Sequence, residues 1–139
     1  MTANEIAPLQ VKAFDHITLV VKDLERSRKF YVDLLGMEQV DRPGFDFAGR
    51  WFQLGPQQIH LILEHENSGP AGIFVPEHYQ SSRTHHFAFE VEDGHAAATM
   101  ARELGIPLVG GPQERPDGAV QVFVNDTAGH GVQLCSPAR

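Results

Sequence analysis

The chain has 139 residues, 42% hydrophobic and 21% charged, with a formal net charge of −7. That size and balance describe one globular domain and exclude a disordered, fibrous or bilayer-spanning chain. The acidic balance and the lack of a Lys/Arg cluster also argue against nucleic acid or an anionic membrane as partner, leaving a small molecule.

A single cysteine, Cys135, rules out an internal disulfide, and residues 1–13 read as an N-terminal tail without the apolar stretch of a signal peptide. The expected location is therefore cytoplasmic. Phe14 to Val21 is rich in β-branched residues and predicts a strand. Asp23 stands where a helix N-cap belongs. Leu24, Phe30, Tyr31, Leu34 and Leu35 then form one apolar helical stripe that stops at Gly36. Three strand-like runs follow, at Glu38 to Asp41, Trp51 to Leu54 and Ile59 to Glu64. Residues 65–84, rich in Gly, Pro and Ser, read as a linker.

The same order then recurs. His86 to Val91 predicts a strand and Asp93 an N-cap; Ala97, Met100, Ala101 and Leu104 form a stripe ending at Gly105. Pro107 to Val109, Val120 to Asn125 and Gly131 to Ser136 predict three more strands. His16 and His86 are separated by the same interval as Asp23 and Asp93, whereas Gly36 and Gly105 are one residue closer. The repeat divides the chain into a tail (1–13), a first βαβββ module (14–64), the linker, and a second module (85–136), together one domain. The fold class is α+β: two tandem modules forming a cupped mixed sheet around a cleft.

Four of the eight histidines, His65, His78, His95 and His130, fall in the linker, at a helix start or in a turn, and read as exposed. His85 and His86 are adjacent in a strand, so at most one faces a shared cleft. His16, His60 and His86 lie inside apolar strand-like runs, and Gln133 is the counterpart of His60 in the repeat. Pseudo-twofold symmetry would bring these four together. Three imidazoles suit Zn, Fe, Ni, Co or Mn, and a glutamine carbonyl can add a weaker oxygen ligand. Glu64 and Glu90 share strand parity with His60 and His86 and are the candidate general bases. Phe45, Phe47, Trp51 and Phe52, with Arg50 among them, suggest an aromatic wall for a small ligand bearing a carboxylate or oxyanion. Trp51 and Phe52 point to opposite faces, so only one can line the cleft.

The stretches Phe14 to Asp23, Phe30-Tyr31, Leu34 to Met37, Ile59 to Leu61, His85 to Phe89, and Phe123 to Asp126 running on to Gln133-Leu134 resemble the vicinal oxygen chelate superfamily. That group includes glyoxalase I, bleomycin-resistance proteins, extradiol dioxygenases, methylmalonyl-CoA epimerase and fosfomycin-resistance enzymes. The resemblance spans roughly residues 14 to 136. It implies paired modules, a metal held by His16, His60, His86 and Gln133, and a homodimer. Gln133 stands where the family usually has glutamate, and His60 and Gln133 replace the glutamate ligands of glyoxalase I, which argues against a standard glyoxalase I. The expected activity is metal-assisted chelation and activation of an oxygen-rich small molecule, of lyase, isomerase or dioxygenase type. The alternative is a metal-free binding protein of the bleomycin-resistance kind.

Overall fold

The computed structural model describes residues 7–73, 75–76 and 80–138. His78 and the first six residues of the tail lie outside these. The element order is β1 (His16–Val21), α1 (Leu24–Arg28), a π-helical segment (Lys29–Leu34), β2 (Glu38–Val40), β3 (Gly49–Leu54) and β4 (Gln57–Leu63). After a short 3₁₀ turn (Ser81–Arg83) come β5 (Phe87–Glu90), α2 (Gly94–Glu103), β6 (Leu108–Glu114), β7 (Val120–Asn125) and β8 (Gly131–Ser136). Each half forms its own four-stranded mixed sheet, ordered β1-β4-β3-β2 and β5-β8-β7-β6. Among the described residues no strand pairing joins the two sheets.

The helices start where their caps dictate. The Asp23 carboxylate accepts from the Arg26 amide, and that of Asp93 from the His95 and Ala96 amides. Such caps satisfy donors that the first helical turn leaves without partners. The one-residue mismatch of the repeat has a structural cause. Leu35 N donates to Phe30 O, a π-type bond that widens the end of the first helix by one residue. Met37 N returns to Tyr31 O, whereas the equivalent Ile106 N reaches Ala101 O across one residue fewer.

β6 is longer than the sequence predicts. Gly110-Gly111-Pro112 reads as a breaker, yet the strand continues to Glu114 through register shifts between Leu108 and Gln113. An edge strand tolerates a proline and bulges, because its outer side pairs with no strand among the described residues.

One continuous core serves both halves. Leu19, Val21, Phe52 and Leu61 of the first sheet join Val122, Val124, Val132 and Leu134 of the second, with Tyr31 and Ala98 from the helices. These strand residues alternate with the site candidates, so each sheet presents one face to the core and helix and the other to the cup. No helix among the described residues is long and apolar enough to cross a membrane.

Candidate functional site

The alternation of the strands places the histidines. On β1, buried Leu19 and Val21 take the core face, so His16 and Thr18 take the other. On β4, buried Ile59 and Leu61 leave Gln58 and His60 on that same cup face. In the second sheet, buried Val132 and Leu134 put Gln133 on the cup face, beside His86 at the mouth of β5. Register confirms the equivalence of the halves: Thr18 pairs with His60, and Ala88 with Gln133.

Within the chain the four residues form two pairs. The His86 Nδ1 lies 2.8 Å from the Thr84 carbonyl oxygen, which can only accept. The ring proton is therefore on Nδ1, and a neutral ring keeps its lone pair on Nε2. That Nε2 lies 3.0 Å from Gln133 Oε1, while the Gln133 amide nitrogen donates to Gln121 Oε1 at 3.3 Å. Two acceptors thus face each other. A proton or a cation between them, or a Gln133 amide turned to donate, makes the contact attractive.

In the first sheet the His16 Nδ1 lies 2.7 Å from Asp15 Oδ1, which fixes the tautomer and leaves Nε2 as the lone-pair nitrogen. The His60 ring is stacked between Trp51 (3.9 Å, 2°) and His16 (3.9 Å, 20°). Its Nε2 donates to Gln58 Oε1 at 2.7 Å, because the Gln58 amide nitrogen is itself donated to Gln53 Oε1 at 2.6 Å. Burial, and next the neighbouring His16, lower the His60 pKa below its ordinary value, so the ring is neutral at pH 7 with a free Nδ1.

The donors are of the kind a divalent cation takes and lie in two pairs, His86 with Gln133 and His16 with His60, but the stacked His16 and His60 rings do not aim their nitrogens at one point. Among the described residues no three His, Cys, Asp or Glu side chains gather closely enough to hold a metal. The three imidazoles that symmetry was expected to bring together are not gathered within one chain.

Glu64 and Glu90 have the expected parity but sit far along their strands. Four residues at a rise of about 3.3 Å separate each from its histidine by about 13 Å. The Glu64 carboxylate accepts from the Ala71 amide at 2.6 Å, and Glu90 is exposed. Trp51 is the cup-lining member of its pair; Phe52 is fully buried on the core face, 6.0 Å from the Tyr31 ring. Arg50 shares the Phe52 parity and is near enough to α1 to stabilise the charge on Glu25. A cavity of about 500 Å³ opens beside His86, Thr84, Phe123 and Asn125.

Two features escape a reading of the sequence. His130, expected in an exposed turn, is only 4% exposed. Its Nδ1 contacts Asp126 Oδ2 at 2.8 Å, and the Tyr31 hydroxyl donates to that same oxygen at 2.6 Å. The other Asp126 oxygen accepts from the Ala128 and His130 amides, which closes the turn. The Asp-x-x-Gly-His pattern of a turn held by an aspartate was the available signal; Tyr31, 95 positions away, gave none. The second is Arg42, whose guanidinium lies 4.9 Å from the centroids of both Phe45 and Phe47. Its sequence neighbours, Asp41 and Pro43, disguise it as a loop residue.

Comparison with known proteins agrees with this architecture. The protein resembles Glyoxylase I 4 of Arabidopsis thaliana, at 25% identity over 93% of this chain and 73% of that one. Among solved structures, a glyoxalase/dioxygenase from Nostoc punctiforme shares the fold with a TM-score of 0.76 at 22% identity, covering 100% of both chains. A lactoylglutathione lyase from Agrobacterium tumefaciens superposes with a TM-score of 0.65 at 24% identity, over 92% of this chain and 96% of that one. A family model matches residues 13–134, nearly the whole of the paired modules, and the chain belongs to the Glyoxalase/Bleomycin resistance protein/Dioxygenase superfamily.

Proposed function

We propose that this is a cytoplasmic, divalent-metal enzyme of lyase, isomerase or dioxygenase type, working as a homodimer in which each centre is completed by two copies. His16 and His60 of one copy and Gln133 and His86 of the other would hold Zn, Ni, Mn, Fe or Co. The approach of His86 Nε2 and Gln133 Oε1 to 3.0 Å carries this reading, because two ligand atoms at that separation can share one cation. The two cups support completion by a second copy, since among the described residues no strand pairing closes them into one.

When bound, such a metal supplies a Lewis acid that polarises neighbouring substrate oxygens. The chain's own groups prepare for this. Asp15 and the Thr84 carbonyl hold the His16 and His86 rings in the tautomer with a free Nε2. Gln133 adds an oxygen without adding a negative charge. His60 would turn its free Nδ1 inward or exchange Gln58 for the metal. The cavity beside His86, about 500 Å³, suits a small organic substrate. Glu90 serves as base only for a substrate extending along β5. The similarity to a lactoylglutathione lyase and to Glyoxylase I 4 favours the lyase among these three types. His60 and Gln133 in place of glutamates disfavour the standard glyoxalase I cycle.

The test is elemental analysis of protein purified without an affinity tag. The reading expects about one metal per chain, lost in His86→Ala. A metal-free binding protein is the second reading, favoured by His60, whose Nε2 is satisfied by Gln58 and whose ring is sandwiched. No bound metal, and no rise in melting temperature with Zn, Ni, Mn or Fe, would establish the second reading over the first.

A further inference from the structure

We propose that Arg42 is the anchor for the carboxylate of a planar, aromatic ligand lying on the cup face of the first sheet. This rests on the reading of that face as a small-molecule site but not on the metal.

Arg42 follows β2, and its guanidinium lies against Gly49 at the start of β3. A Cβ on Gly49 would fall 2.9 Å from Arg42 Nη2 and 3.0 Å from its Cζ. Gly49 has the parity of Trp51, so the guanidinium lies over the cup face beside Trp51 rather than toward the core. Phe45 and Phe47 stack on each other with centroids 5.1 Å apart, the guanidinium lies 4.9 Å from both, and Phe45 is 6.3 Å from Trp51. The result is one charged group set into an aromatic row that continues through Trp51, His60 and His16.

The hydrogen bonding of this cation is incomplete. Nη2 donates to the Phe47 carbonyl oxygen at 2.9 Å. Nε is buried with no partner, alone in this among the buried side-chain nitrogens and oxygens of the described residues. Neither Asp41 nor Asp46 forms an ion pair with it, although Arg28 and Arg115 both have carboxylate partners. An arginine left without a carboxylate in a chain of net charge −7 is available to an external one. A cavity of about 330 Å³ lies against Arg42, Gly49 and Trp51, room for a ligand ring to reach the indole while its carboxylate meets the guanidinium fork.

Trp51 is the sole tryptophan, so its fluorescence reports on this face directly. Titration with benzoate should change the emission saturably, and uncharged benzamide should bind at least about tenfold more weakly. Arg42→Gln should weaken benzoate by about tenfold or more, Arg42→Lys by less, and Arg102→Gln, on the exposed face of α2, should leave it unchanged. Wild-type benzoate binding no tighter than benzamide, or an Arg42→Gln titration superimposable on wild type, would overturn the assignment. Metal content is measured on the same samples. Benzoate binding through Arg42 in a protein that takes up no metal sinks the proposed function and leaves this one standing; normal metal uptake with no benzoate response does the reverse.

Discussion

Tyr31, Asp126 and His130 show how one buried carboxylate joins the two modules. Burial alone would raise the Asp126 pKa, but the hydrogen bond and charge of His130, with the Tyr31 hydroxyl, outweigh it and hold the group below its ordinary value of 3.8. Burial foremost raises the Tyr31 pKa well above 10.0, so Tyr31 is the donor at every working pH. A depressed folded pKa means that the unfolded chain binds the proton first as pH falls. The stabilisation by Asp126 is therefore complete above the ordinary carboxylate range and is lost as pH drops through the lower folded value. Asp126→Asn is expected to cost about 2–3 kcal/mol at pH 7, and Tyr31→Phe about 1–2 kcal/mol. Urea unfolding at pH 7 and pH 2.5 checks this: the deficit of Asp126→Asn should shrink at the lower pH, and an equal deficit at both would contradict the assignment. Burial of His130 was not legible in advance, because a turn pattern specifies local backbone bonds and not what packs over them.

At the scale of elements, local chemistry was largely readable. The aspartate caps, the glycine stops and strand alternation place both helices and all eight strands near their predicted positions. The mismatch between the halves was visible as one residue; its form, a π turn, was not, since α and π turns bury the same stripe. Alternation also separated Trp51 from Phe52 but left open which one faced the core, a choice settled by Tyr31 packing against Phe52. Gly49 is the element-scale test. A Cβ there would lie 2.3 Å from the Leu61 carbonyl oxygen in the neighbouring strand as well as against Arg42. Gly49→Ala should cost about 2 kcal/mol or more by forcing β3 from β4, measured by thermal or urea unfolding. A substitution cheaper than about 0.5 kcal/mol would mean that the strands are looser than described.

For the whole molecule, duplication made the architecture legible and hid the site. A repeat tells which residues are equivalent, so His16 with His86 and His60 with Gln133 could be matched from sequence. It does not tell which copy of a module faces which. That depends on sheet edges and on the tertiary contacts between halves, here the Tyr31 to Asp126 bond and the shared core. Arg42 was missed for a related reason: its role depends on Gly49 and two phenylalanines that meet only when the loop folds back.

Complementation between two inactive halves tests this account most directly. One variant carries His16→Ala and His60→Ala, the other His86→Ala and Gln133→Ala, and neither should bind metal alone. After the two are mixed and allowed to exchange subunits, half of the dimers at random pairing are mixed, each with one intact centre. Metal uptake should then recover to about a quarter of the wild-type value. A mixture that stays as empty as its parents, while subunit exchange is confirmed, would contradict a centre shared between copies.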